Sequence, residues 1–142
     1  MTTHSNLLQA SPEIRDLRYR IRHSTSHIMA DAVLQLFPEA KFAIGPPTDD
    51  GFYYDFEVSR PFTPEDLEMI DALMRERVAA DVPFIRTEIS RGEALRAFSD
   101  QGFKLEIIEG IPEEEAISTY QHGPFTDLCE GPHVERSGQV AA

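Results

Sequence analysis

Two short motifs at opposite ends of the chain constrain what it can fold into. "RHSTSHIMA" carries His23 and His27 four residues apart, and "DLCEGPHV" sets the single cysteine, Cys129, four residues before His133. A His-x3-His pair on a helix projects both imidazoles from one face. Neutral imidazole and thiolate are good zinc ligands, so His23, His27, Cys129 and His133 would complete a tetrahedral set. The same groups can serve as acids and bases. Either chemistry requires the N-terminal helix and the C-terminal turn to meet in one pocket. On pattern alone each motif also has a plainer reading: two histidines packed on a helix face, and a small buried thiol beside a turn histidine.

A chain of 142 residues suits one domain with a core of its own. Hydrophobic content of 41% and charged content of 27% are those of a soluble globular protein. No apolar run reaches the length of a membrane span, and "MTTHSNLLQASPEIRD" lacks the basic and apolar regions of a signal peptide. One cysteine allows no internal disulfide, which makes a reducing cytoplasm the default compartment. The net charge of −12 argues against broad attraction to nucleic acid, whose affinity comes largely from lysine and arginine on phosphate. Any grip on nucleic acid is expected to be local or to belong to something else.

Along the chain, residues 1–10 read as a loose polar lead-in and 11–142 as the folded domain. Ser11 can cap a helix, Pro12 suits its first turn, and Glu13 and Asp16 oppose the positive end of its dipole. Ile14, Leu17, Ile21, Ile28, Val33 and Leu36 follow helical spacing up to Pro38, placing His23 and His27 one turn apart. "AKFAIGPP" and "GFYYDFEV" predict a hairpin about a turn at Thr48 to Gly51. Thr63 and Pro64 open a second helix with Leu67, Ile70, Leu73, Met74 and Val78 as its apolar stripe. "VPFIRTEI" predicts a strand, and Ser90 to Glu93 form a capping box for a short third helix ending near Gly102. "FKLEII" alternates as a further strand, Pro112 to Glu115 read as a solvated acidic turn, and "AISTYQ" and "FTDLC" predict the last two strands. The expected class is α+β, a single domain with helices packed on a largely antiparallel sheet.

Several other residues carry chemistry. Gly45 permits close backbone approach by a ligand. Alternation sends Tyr53 to the opposite face from Phe52 and Tyr54, so one set is free to line a pocket. Lys104 reads as a snorkelling surface lysine or, in a cleft, as a donor to a carbonyl or phosphate oxygen. Asp127 shares a strand face with Cys129 and could orient an imidazole or bind a substrate amine or hydroxyl. His4 and His122 lack partner spacing and are expected to be incidental.

Taken together, "RHSTSHIMADAVLQLFPEAKFAIGPPTDDGFYYDFEV", "RPFTPEDLEMID" and "FTDLCEGPHV" resemble the editing domain of bacterial-type threonyl-tRNA synthetases. The combination of "AIGP", "GFYYDF" and "DLC-x-GPH" is far more specific than the His and Cys pairs. That domain is related to the editing domain of alanyl-tRNA synthetase, where the analogous His and Cys set binds zinc. The resemblance implies hydrolysis of mischarged Ser-tRNA(Thr) and sparing of Thr-tRNA(Thr). It implies His23, His27, Cys129 and His133 at the centre of the site, with His23 and Lys104 placing and activating the attacking water. Tyr54, Lys104 and Asp127 would surround the centre and Gly45 would lend backbone to the pocket wall. It implies no required cofactor, with zinc on the four central residues as the alternative. The implied partners are the 3′ end of aminoacyl-tRNA(Thr) and the aminoacylation and anticodon-binding domains of a synthetase.

The chain departs from the family in carrying Glu130 where a basic residue is frequent. A small ubiquitin-like domain that usually precedes the editing domain is missing, and the sequence stops at "SGQVAA". An excised fragment is therefore expected, with a free-standing relative as the alternative. Two rivals stand beside the editing reading: a zinc-binding structural module, and a metal-dependent hydrolase of small esters or amides.

Overall fold

Ser11 caps the first helix with its side chain, which accepts a hydrogen bond from the Ile14 amide, and Pro12 occupies the first turn. Helix α1 runs Pro12–Leu36. The computed structural model describes residues 11–42, 47–48 and 51–140; Gly45 and His4 lie outside the described residues. Only the second half of α1 is embedded. Ile28, Ala30, Ala32 and Val33 are fully buried, whereas Ile14 and Leu17 are about half exposed, so the first turns do not join the core expected of them.

Strands β1 (Lys41–Phe42) and β2 (Phe56–Glu57) pair antiparallel, with an isolated bridge between Pro47 and Phe52 nearer the turn. This is the expected hairpin. Helix α2 (Pro64–Ala80) starts on a complete capping box, in which Thr63 and Asp66 exchange side-chain and backbone hydrogen bonds. Ile70 is buried and Leu73 and Met74 pack beside it, but Leu67 points to solvent. Strand β3 (Phe84–Ile89) and helix α3 (Arg91–Ala97), capped by Ser90 and Glu93, follow as expected, although α3 ends earlier than Gly102.

"FKLEII" is not a strand. It lies in helix α4 (Gly102–Gly110). The alternation of Phe103, Leu105 and Ile107 fits a strand only if Lys104 counts as polar and outward. Lys104 is instead buried together with Ile108, four residues on, which is helical spacing. A lysine acting as a core residue concealed the helical period.

Strands β4 (Ile117–His122) and β5 (Phe125–Leu128) complete a three-stranded antiparallel sheet in the order β3-β4-β5. His122 pairs Phe125 across a Gly123-Pro124 turn, and Gly123 takes the positive φ the turn needs. Two apolar clusters form. Val33, Phe37, Phe42, Ile70 and Phe125 join α1, the hairpin, α2 and β5, while Ala94, Phe98, Ile108 and Ile117 join α3, α4 and β4. Gln101 bridges the hairpin to the start of α4, donating to the Ala40 carbonyl and accepting from the Phe42 amide. The architecture is α+β, with four α-helices and two small antiparallel sheets among the described residues, and none of the described helices is long and apolar enough to cross a membrane.

His122, expected to be incidental, is almost wholly buried and donates from Nε2 to Asp31 of α1 at 3.1 Å. Arg77 of α2 donates to the same carboxylate oxygen at 2.7 Å. Burial alone would raise the Asp31 pKa, but hydrogen bonds from His122 and Arg77 outweigh it and hold the carboxyl below its ordinary value. This triad ties α1 to α2 and to the sheet. Asp31→Ala should therefore cost about 3–5 kcal/mol in urea unfolding, because it strands a half-buried guanidinium. Gln35→Ala, which removes only a bond to the other Asp31 oxygen, should cost about 1 kcal/mol.

Candidate functional site

Three backbone placements bring the two ends of the chain together. The segment after β5 continues the sheet for one residue, where Cys129 N donates to Ser118 O and Ser118 Oγ donates to Cys129 O. It then turns at Gly131, whose φ of 86° suits glycine and whose added Cβ would fall 2.5 Å from the Tyr120 hydroxyl. The Gly131-Pro132 peptide is cis. Beyond it, Phe84 N donates to Glu135 O and Ser137 N donates to Val82 O, anchoring the C-terminal segment beside β3.

His133 thereby reaches α1. Ser24 Oγ accepts from the Val134 amide at 3.0 Å and lies 2.9 Å from His133 Nδ1. Arg20 donates to the His133 carbonyl. His23 Nδ1 donates to the Pro132 carbonyl at 3.0 Å, a partner that can only accept, so its Nε2 carries the lone pair. That Nε2 lies 3.4 Å from Cys129 Sγ, and His133 Nε2 lies 3.3 Å from the same sulfur. The His23 and His133 rings stack with centroids 4.1 Å apart, and His27 stands edge-on to both. The four residues read from the sequence therefore form one cluster, with ligand-capable atoms all within 4.8 Å of one another.

The cluster opens on a pocket of about 330 Å³ between the two apolar clusters. Its walls include Ile107, Ile111, Ile117 and Leu128, and its polar floor is His23, His27, Tyr54, Lys104 and Asp127. Asp127 organises that floor. Lys104 Nζ lies 3.1 Å from Oδ1, and the Tyr54 hydroxyl donates to Oδ2 at 2.8 Å. The Leu128 amide donates to Oδ1, while His27 Nε2 stands 3.9 Å from Oδ2. Tyr54 thus faces the pocket while Tyr53 is exposed, as alternation implied. Asp127 and Cys129 share a face, also as expected, and Glu130 sits at the rim.

Burial sets the protonation of these groups. It lowers the His23 pKa, against weaker upward pulls from the Pro132 carbonyl and Asp127. It lowers His27 and His133 well below the ordinary value, with the neighbouring histidines adding to the effect. Burial likewise pushes the Cys129 thiol up to about 12, with Asp127 and Glu130 adding to the rise against a bond from the Gly131 amide. The Tyr54 phenol is held far above its usual value by burial and by the Asp127 charge. At neutral pH the site therefore presents neutral imidazoles, a protonated thiol and a protonated phenol.

The chemistry available is proton transfer at His23 Nε2 and hydrogen-bond donation from Lys104; the one proton of the Tyr54 hydroxyl is given to Asp127. Metal ligation is a second capability. Tetrahedral bonds of about 2.0–2.3 Å imply ligand spacings near those the cluster already has. The Pro132 and Ser24 contacts to the outer imidazole nitrogens are the kind that fix metal-binding tautomers. Among the described residues His27 Nδ1 is buried with no hydrogen-bond partner. The sequence reading overlooked Ser24 and the Asp31 triad, since neither residue type nor spacing marks them. Only the position of Ser24 beside His23 could have drawn notice.

No family model matches the chain. Curated proteins do. It is 52% identical over 123 residues to the threonine–tRNA ligase of Symbiobacterium thermophilum, covering 85% of this chain and 19% of that protein. It is 49% identical over 138 residues to the threonine–tRNA ligase of Dehalococcoides mccartyi, covering 97% of this chain and 23% of that protein. The Paraburkholderia phymatum threonine–tRNA ligase is 55% identical over 122 residues, or 84% of this chain and 19% of its own length. The chain spans about a fifth of the length of the relatives it matches.

The depressed histidines make stability depend on pH in a definite direction. In the folded chain His23, His27 and His133 all titrate below 6.5, and unfolding returns them to that value. Between the two pKa values the unfolded chain binds more protons, so stability rises with pH. The thermal midpoint should therefore hold above pH about 7 and fall steadily as pH drops from about 6.5 toward 5. A flat profile over that interval would show that these histidines are not buried in their neutral form.

Proposed function

Because this chain is homologous over most of its length to one segment of bacterial threonine–tRNA ligases, we propose that it is the editing module of such an enzyme. It hydrolyses mischarged Ser-tRNA(Thr) and spares Thr-tRNA(Thr). The supporting observation is His23, a neutral base whose Nε2 faces a pocket in which Lys104 and Tyr54 gather around Asp127. Its partners in this reading are the 3′ end of tRNA(Thr) and the remaining domains of the synthetase, in the cytoplasm. Residues 11–142 make up the editing domain in this reading.

An aminoacyl ester is already activated, so the site has only to place a water and manage its proton. His23 Nε2 accepts that proton as the water oxygen attacks the ester carbonyl. Lys104 donates to the oxyanion that develops, while Tyr54, its one proton given to Asp127, accepts from Lys104 and holds it in place. The proton held on His23 then passes to the ribose oxygen as the ester C–O bond breaks. Cys129, protonated at neutral pH, shapes the pocket rather than attacking.

The need for such a module follows from magnitudes. Serine lacks one methyl of threonine, and a missing methylene is worth only about 1–3 kcal/mol in a binding pocket. A synthetic site built for threonine therefore admits serine. A second, tighter site reverses the choice, because the additional methyl of threonine clashes where serine fits.

His23→Ala should lower Ser-tRNA(Thr) deacylation by about 10²–10⁴-fold with little change in melting temperature. Lys104→Ala should lower it comparably and also destabilise the fold, since it leaves the buried Asp127 carboxylate without its cation. Full activity in His23→Ala, or equal hydrolysis of Thr-tRNA(Thr) by the unaltered chain, would exclude this reading.

A second reading comes from the spacing of the cluster: His23, His27, Cys129 and His133 would hold a zinc ion, which would supply charge to deprotonate the thiol. Four protein ligands fill a tetrahedral shell and leave no position for water, which suits a structural role. Metal analysis of the purified chain decides between them. The deacylase reading expects activity to survive chelators; one zinc per chain with the fold lost on its removal, and no deacylation by the zinc-loaded chain, would establish the structural reading instead.

A further inference from the structure

The exposed first half of α1 holds four arginines within eight residues, Arg15, Arg18, Arg20 and Arg22, in a chain with 25 acidic and 13 basic residues. Arg20 is engaged, through Asp16 at 2.7 Å and the His133 carbonyl at 3.1 Å. Arginines elsewhere are mostly paired with carboxylates: Arg60 with Asp66, Arg75 with Asp71, Arg77 with Asp31, Arg86 with Glu88 and Arg136 with Asp81. Among the described residues no carboxylate lies within ion-pairing distance of Arg15, Arg18 or Arg22.

These three share one face. At about 100° per residue they fall within an arc of about 60°, spread over about 10 Å of helix axis. Glu13 and Asp16 fall on the opposite side of the helix. Arg15 and Arg18 are exposed; Arg22 is half-buried, and its Nε has no hydrogen-bond partner among the described residues. Tyr19 lies on the helix surface between this stripe and the catalytic face. It is 39% exposed, and its ring stands edge-on to His23 at 5.9 Å.

We propose that this face is a platform for an RNA strand. Arg15, Arg18 and Arg22 hold phosphates of the strand leading to the reactive 3′ end, and Tyr19 stacks an unpaired base before the ester enters the His23 pocket. The assignment rests on the reading that the pocket takes an ester of RNA. Charge complementarity selects the occupant: a net charge of −12 repels a polyanion over most of the surface, so a phosphate backbone must approach through a local cationic track. Planar guanidinium groups grip phosphate with paired hydrogen bonds, and an aromatic face accepts any base.

Binding of a labelled RNA hairpin with a single-stranded 3′ tail and no amino acid, followed by fluorescence anisotropy against salt, tests the platform. The unaltered chain should lose affinity with a log–log slope of about 2–3, as three phosphate contacts require. The R15Q/R18Q pair, at exposed positions, should flatten that slope by about two and weaken binding at least tenfold at low salt. Adding R22Q should remove most of what remains. Tyr19→Ala should weaken binding by about tenfold with the slope unchanged, because stacking releases no counterions. Arg86→Gln, which removes one positive charge where the R15Q/R18Q pair removes two, should leave both quantities nearly as they were. The platform is overturned if the unaltered chain does not bind this RNA, if R15Q/R18Q retains its slope, or if Arg86→Gln flattens it as much. Since the probe carries no ester, slope loss in a chain unable to hydrolyse Ser-tRNA(Thr) would refute the deacylase reading and leave the platform standing. Normal hydrolysis with an unchanged KM in R15Q/R18Q would do the reverse.

Discussion

A buried carboxylate needs partners, and Asp127 draws them from four parts of the chain. Lys104 comes from α4, Tyr54 from the hairpin, the Leu128 amide from β5 itself, and His27 approaches from α1. Removing a carboxylate from water costs several kcal/mol unless cation and donors compensate it. The four elements are therefore obliged to meet where Asp127 lies. The two apolar clusters pack on either side of this polar contact rather than merging across it, and the gap between them is the pocket.

The same burial decides which form each group takes. In water the histidines would be partly charged near neutrality and the thiol would be within reach of ionisation. In the cluster, burial keeps the imidazoles neutral, with repulsion between histidines adding to it at His27 and His133, and burial together with the acids nearby holds the thiol protonated. His23 keeps the tautomer set by the Pro132 carbonyl, and Lys104 donates to the Tyr54 hydroxyl, which in turn donates to Asp127. Ser24 matters for the same reason. Its hydroxyl holds the Val134 amide and the outer nitrogen of His133 at once, so it fixes the C-terminal turn and an imidazole together.

Charge is distributed as unevenly as burial. Six of the eleven arginines pair with carboxylates, and two of those pairs, Arg77 with Asp31 and Arg136 with Asp81, link parts of the chain distant in sequence. The embedded half of α1 carries the histidines, and the protruding half carries Arg15, Arg18 and Arg22, which pair with no carboxylate among the described residues. One helix thus serves both as a wall of the pocket and as its approach.

Local chemistry in the sequence determined most elements. Ser11-Pro12, Thr63 to Asp66 and Ser90 to Glu93 cap helices where their side chains satisfy the first amides, and Gly123-Pro124 makes the last hairpin turn. These signals act within a few residues, so they survive without knowledge of the fold. The His-x3-His and Cys-x3-His spacings likewise marked the cluster, because their chemistry makes sense only if the ends converge. Only the tertiary structure decided the rest. Lys104 became a core residue because Asp127 lies within 3.1 Å of its ammonium, which turned an apparent strand into a helix. His122 became buried because Asp31 and Arg77 close a triad around it, and no spacing in the chain joins those three. Ile14, Leu17 and Leu67 keep helical periodicity yet face solvent, since periodicity names a face but not what covers it. Burial of a charge depends on partners distant in sequence, and that is information a local pattern does not hold.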